Sequence, residues 1–247
     1  MAERPTAVDE SELTFSGDRH YAEMAGSVLR HGVCRITALY PVALIDSVAA
    51  AAAAIYAHRD VLAESGALPP ALDVTHRIDR SILLSEVLIQ GIPAAELLAF
   101  DLLRTIAGVC LHKPMPSVHH DSYVRCVRPA TGEGELPYHQ DSRVLECPLV
   151  NIWIPFVDCG RNRPTLEVLP QRLFDLVPTI SGEDGHLAQI GAEITAAAFQ
   201  ERFGADSGWH PEMAKGDVLV FTGLTVHRSY VTSAMDHERT SIDLRLI

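Results

Sequence analysis

The chain changes character near residue 113, and that change restricts its folds more than any other feature. Ahead of it, apolar residues recur at helical spacing over 18–31, 41–63 and 92–110. Pro41 and Pro93 stand near the starts of the last two, and the run Ala49 to Ala54 has high helix propensity. A short strand, Val33 to Ile36, follows Gly32. After residue 113 come short β-type runs at 117–127, 144–157, 165–169, 217–222, 225–232 and 239–246, separated by Gly, Pro and Asp. Helices first and strands later predict an α+β chain in which helices cover one face of an antiparallel β-sandwich or jelly roll.

At 247 residues the chain suits one domain with a substantial core. Residues 1–112 form its mainly helical support and 113–247 its jelly-roll core. Within that core, 171–212 reads as an insertion over a site mouth, with a short helix at 192–203 and loops at Gly182, Gly185, Gly204 and Gly208. Neither an internal repeat nor a second hydrophobic core divides the sequence.

The formal charge is −12, from 20 basic and 32 acidic residues. That balance opposes a nucleic-acid backbone or an anionic membrane as partner. A small-molecule substrate remains open, because a guanidinium fork holds a small anion whatever the net charge. Five cysteines without a CxxC pair signal neither a disulfide framework nor a zinc cluster, and the N-terminus lacks the order of a signal peptide. No apolar run reads as a membrane span, so a cytoplasmic location is expected. Oligomeric state is not readable.

Two stretches offer His-x-Asp: His139-Gln140-Asp141 and His119-His120-Asp121. Either would let an imidazole and a carboxylate meet one metal ion, and either spacing is common by chance. A non-haem iron site needs a second histidine from another strand, completing one face of the octahedron and leaving the other face open. His227 is the best candidate: one strand ends near Thr222, and another begins at the histidine after a turn. The closing segment alternates, with Ile242, Leu244 and Leu246 on one face and Arg239, Ser241, Asp243 and Arg245 on the other. An apolar face packed on the helices would direct Arg239 into the barrel; an edge strand would leave it in water.

With these residues in view, the chain resembles the phytanoyl-CoA dioxygenase-like family of Fe(II)- and 2-oxoglutarate-dependent dioxygenases. Pro137-Tyr138-His139-Gln140-Asp141 resembles the family's Pro-Trp-His-Gln-Asp, and Asn151-Ile152-Trp153-Ile154-Pro155 its following strand. Gly216 to Phe221 resembles the strand before the distal histidine, and Arg239 follows at the family's distance. The likeness covers residues 115–247 well and the front half in layout only. It implies a double-stranded β-helix of cupin-like form, with His139, Asp141 and His227 as iron ligands. It further implies that Arg239 pairs with the distal carboxylate of 2-oxoglutarate, with Ser229, Trp153 and Tyr123 beside that cosubstrate. With O2 as the third reactant, oxidative decarboxylation would give succinate, CO2 and an oxidant that takes hydrogen from the substrate. Asp141 in the carboxylate position favours hydroxylation over halogenation. The exit loop after Trp153 departs from the family pattern.

Two other readings stay open: a metal-dependent hydrolase or isomerase on the same barrel, which has no need of Arg239, and a non-catalytic binding module. Substrate contacts are expected among Arg77, Arg80, Arg143, Asn151 and Arg161, which lie on segments that would rim the mouth.

Overall fold

The computed structural model describes residues 8–18, 20–69, 72, 80–89, 96–97, 101–182 and 186–247. The elements, in chain order, are α1 Glu10–Leu13, β1 Thr14–Ser16, α2 Tyr21–His31, β2 Val33–Thr37, α3 Val42–Glu64, β3 Ser81–Leu83, α4 Leu84–Ile89 and α5 Asp101–Leu111. They continue with β4 Tyr123–Val127, α6 Asp141–Leu145, β5 Val150–Pro155, β6 Thr165–Val168, α7 His186–Gln189, α8 Ala196–Phe203, β7 Val218–Thr222, β8 His227–Tyr230 and β9 Arg239–Leu246.

Local chemistry fixes the helix ends. Gly32 stops α2 in the left-handed region (φ 81°), its N–H returning to the Val28 carbonyl at 2.9 Å. Thr195 caps α8 by accepting from the Ala198 N–H at 3.1 Å. Of the expected helix over 92–110, Asp101–Leu111 is observed; residues 92–95 and 98–100 lie outside the described set.

Among the described residues, seven strands form one sheet in the order β1-β2-β7-β5-β9-β4-β3, antiparallel except for the β1–β2 pair. Facing it, β6 pairs antiparallel with β8. Single bridges from His139 to His227 and from Val168 to Trp209 widen this smaller sheet on both sides. The fold is the expected α+β jelly roll.

Strand parity sorts the core. Val124, Ile152, Val220, Ile242 and Leu244 pack on Met24, Ile45, Val48 and Ile106 of the helices. Trp153, Leu219 and Phe221 face the other way, into the barrel with Leu166 and Val168. Helix α3 corrects one expectation. It is 23 residues long with mean hydropathy 1.2, enough by length and composition to cross a membrane, because alanine carries the average. Its buried Leu44, Ile45, Val48, Ala52 and Tyr56 belong to the main core cluster.

Two strand boundaries also shift. The run expected over 144–157 begins as helix α6, which ends at Glu146 in the left-handed region (φ 54°), and pairing starts only at Val150. In the run over 117–127, His119 Nδ1 accepts from the Asp121 N–H and Ser122 Oγ donates to the His119 carbonyl. These local bonds compete with the ladder, so regular pairing begins at Tyr123.

The 171–212 segment has its own small core, in which Leu173, Val177, Ile194, Phe199 and Phe203 surround Tyr138. Ile194 N–H donates to the Tyr138 carbonyl at 2.7 Å. The segment is therefore clamped to the strand that carries His139.

Candidate metal and cosubstrate site

Strand geometry brings His139 and His227 together. Each backbone N–H donates to the other's carbonyl, at 3.0 and 3.1 Å, and the ring centroids lie 4.2 Å apart. Asp141 follows two residues after His139, on the same side of the chain. Between them Gln140 turns the opposite way, donating to the Leu224 carbonyl at 2.6 Å and accepting from the Val177 N–H at 2.7 Å. The middle residue of the motif thus ties the site to the insertion.

Both rings are oriented by their own strands. His139 Nδ1 is 2.8 Å from the Pro137 carbonyl and His227 Nδ1 is 3.0 Å from the Thr225 carbonyl. A carbonyl only accepts, so each Nδ1 carries the proton and each Nε2 offers its lone pair. Nε2 of His139 is 3.9 Å from Asp141 Oδ1, and Nε2 of His227 is 3.7 Å from Asp141 Oδ2. All three side chains are buried, and their ligand atoms lie within 4.8 Å of one another.

Electrostatics suits ligation. Burial, reinforced by the neighbouring His227, pushes the His139 imidazole down to about 3, so it is neutral near pH 7. Burial alone would raise the Asp141 carboxyl; Arg245, His227 and His139 outweigh it and hold that carboxyl below its ordinary value. The Nε2 atoms of His139 and His227 and one carboxylate, beside a cavity of about 420 Å³, make a donor set that fits ferrous iron.

At another part of this cavity lies Arg239, 1% exposed. Its Nε donates to the Pro164 carbonyl at 3.2 Å and its Nη1 to Ser241 Oγ at 2.6 Å, while the guanidinium lies over the Trp153 ring at 5.1 Å. Nη2 is buried with no partner. A desolvated cation with a free donor suits a carboxylate, which is the end that 2-oxoglutarate would present.

The other expected residues divide. Ser229, Trp153 and Asn151 line the cavity, Asn151 with both amide atoms unpartnered. Tyr123 does not: its hydroxyl donates to Asp121 Oδ1 at 3.1 Å, because that carboxylate stands two residues earlier at the strand end. Arg80 is bound to Asp60 through both carboxylate oxygens, at 2.7 and 2.9 Å, on the helical side of the sheet. Arg143 reaches Thr179 in the insertion at 3.4 Å, and Arg161 lies 80% exposed beside Glu212. Arg77 lies outside the described residues.

Sequence reasoning missed Arg125, Asp243 and Arg245 in the cavity wall. The alternation of β9 already placed Asp243 and Arg245 on the face of Arg239. The rival cluster His119, His120 and Asp121 also gathers ligand atoms, but His120 is 83% exposed and His119 Nδ1 is occupied by the Asp121 N–H.

The sequence profile of the phytanoyl-CoA dioxygenase (PhyH) family matches residues 28–235. The chain belongs to that family. Members of the family use Fe(II), 2-oxoglutarate and O2, and the buried His139, Asp141 and His227 form a group that could hold the iron. Among curated proteins none matches the chain in sequence. EvdO2 from Micromonospora carbonacea var. aurantiaca, solved in complex with 2-oxoglutarate, has TM-score 0.62 and 15% identity over 98% of this chain and 91% of its own. SnoN, a non-heme alpha-ketoglutarate-dependent epimerase from nogalamycin biosynthesis, has TM-score 0.61 and 13% identity over 92% and 82%. AviO1 from Streptomyces viridochromogenes Tue57 has TM-score 0.57 and 17% identity over 92% and 94%. At these identities the likeness establishes the shared fold.

Proposed function

We propose that the chain, acting as one domain, is an Fe(II)- and 2-oxoglutarate-dependent oxygenase that hydroxylates a small organic molecule and releases succinate and CO2. One observation carries the reading: a buried guanidinium with an uncommitted nitrogen shares one cavity with two Nε2 lone pairs and a carboxylate. A hydrolase or isomerase using metal alone would not require that cation.

His139, Asp141 and His227 would hold the iron, and Arg239 the distal carboxylate of 2-oxoglutarate. Ser229, on the same strand face as His227, and Trp153, under the Arg239 guanidinium, would flank the cosubstrate. When bound, iron, 2-oxoglutarate and O2 together supply the oxidative decarboxylation and the hydrogen-abstracting oxidant. The protein's part is orientation and exclusion of water. The Pro137 and Thr225 carbonyls fix both imidazole tautomers, and Leu136, Leu166 and Phe221 give the cavity an apolar wall. Asn151, with a free donor and a free acceptor, is the substrate contact favoured by its place in that wall. Five free cysteines support a reducing, cytoplasmic setting.

Anaerobic titration of the Fe(II)-loaded protein with 2-oxoglutarate should develop a metal-to-ligand charge-transfer band, and succinate release against a substrate panel should follow with O2. No band in the native protein, or an unchanged band after His139→Ala and His227→Ala, would sink the proposal. Product mass separates the two outcomes within reach of this fold. Hydroxylation adds an oxygen, whereas an epimerisation like the one named for SnoN leaves the mass unchanged.

A further inference from the structure

Arg245 occupies a place that no metal-ligand role explains. It lies on β9, directly opposite Asn151 of β5, and is 7% exposed. Its Nη2 donates to Asp141 Oδ1 at 3.0 Å. Its Nη1 donates to the Asp121 carbonyl, its backbone N–H donates to Ser122 Oγ at 3.1 Å, and its guanidinium lies 5.5 Å from the Tyr123 ring centroid. Three consecutive residues at the start of β4 therefore hold the arginine, and the arginine holds the carboxylate. The rival His-His-Asp motif contributes to the site in this indirect way, through the Asp121 carbonyl.

The consequence concerns which oxygen Asp141 offers. A carboxylate ligates a metal through one oxygen or chelates through both. A facial set of two imidazoles and one oxygen leaves three of six positions open, enough for a chelating 2-oxo acid and O2; a chelating carboxylate would remove one of them. Each oxygen faces one imidazole, Oδ1 at 3.9 Å from His139 Nε2 and Oδ2 at 3.7 Å from His227 Nε2, but Oδ1 is already engaged by a charged donor and, among the described residues, Oδ2 by none. We propose that Arg245 is a positioning residue that holds Asp141 Oδ1, so that only Oδ2 meets the metal and the open positions are kept for cosubstrate and oxygen. The proposal rests on the iron/2-oxoglutarate reading above.

The test is Arg245→Gln, which removes the charged fork. Fe(II) binding to the protein alone, followed anaerobically, should stay within about threefold of native, because a freed second oxygen compensates the metal. Affinity of the metal-loaded variant for 2-oxoglutarate, read from the charge-transfer band, should fall at least about tenfold, because a chelating carboxylate takes a position that the 2-oxo acid needs. A purely structural role would weaken both together, and that result overturns the proposal, as does native affinity for both. If the variant does not fold, the native protein crystallised with Mn(II) decides: coordination through Oδ2 alone with Arg245 on Oδ1 supports it, and coordination through both oxygens refutes it. Failure of the underlying reading looks different, since the native protein would then give no charge-transfer band at all.

Discussion

Arg239→Ala separates a cosubstrate anchor from a structural cation. The side chain is 1% exposed, and its three nitrogens divide unequally: Nε and Nη1 are engaged by a backbone carbonyl and a serine hydroxyl, and Nη2 by nothing. Among the described residues no carboxylate lies within ion-pair distance of it, and burial pushes its pKa down. Truncation therefore breaks no protein ion pair. On the proposed reading it removes the partner of the cosubstrate carboxylate, which would be left desolvated and unpaired. For a buried charge-assisted contact the cost is about 2–5 kcal/mol. With one uncommitted nitrogen rather than a whole fork, about 3 kcal/mol is expected, roughly 150-fold in the 2-oxoglutarate dissociation constant. Arg239 touches none of the three metal ligands, so Fe(II) or Mn(II) affinity should be unchanged. The assay is the anaerobic titration, paired with thermal melting of the Mn(II) form: 2-oxoglutarate should raise the native melting temperature and leave the variant's unmoved at the same concentration. A fall of less than about tenfold, against the expected 2–5 kcal/mol, would refute the assignment of Arg239. Equal loss of metal and 2-oxoglutarate would refute the independence of the two subsites.

Three further outcomes are expected. Asp217→Ala should destabilise the protein by about 3–5 kcal/mol in urea, because that buried carboxylate receives Arg35 Nε and Nη2 and the N–H groups of Ala38 and Ala214; a loss under about 1 kcal/mol would contradict this. Gly134→Ala should cost more than Gly132→Ala: both glycines have positive φ, but a Cβ at 134 runs into the Cys126 carbonyl oxygen and one at 132 meets nothing within 4 Å. Comparable melting temperatures for the two would count against that packing. In the metal-free protein His139 titrates at about 3, below the 6.5 of the unfolded chain, so the folded state binds fewer protons between those values. Its contribution is therefore present above pH 6.5 and lost as pH falls toward 3, with a slope approaching about 1.4 kcal/mol per pH unit. Denaturant melts at pH 7 and 5 should show that slope reduced in His139→Gln, and an unchanged slope would exclude His139 as its source.

What could be read from the sequence follows from how far each signal reaches along the chain. Period-two alternation is local, so β9 showed Ile242, Leu244 and Leu246 on one face and Arg239 on the other; it left open whether the second face met the barrel or water, and the structure turns it into the cavity. The same alternation placed Arg245 on the inner face, but its bond to Asp141 spans 104 residues and depends on how strands are ordered in the sheet. Strand order is not written in any one strand. The substrate arginines show the opposite failure. Arg80 and Arg161 were chosen for charge near a presumed mouth, and each is paired with a nearby carboxylate, Asp60 and Glu212; Arg143 reaches Thr179 at 3.4 Å with its Nε buried and unpartnered, away from the cavity wall. An arginine that binds a ligand must be left without an equivalent protein partner, and that deficit appears only when neighbours are placed in space. Asn151 and Arg239 share such a deficit within the cavity wall. On the proposed reading these cavity-wall groups are the ones that meet small molecules, and a sequence names such a group without showing that it is unsatisfied.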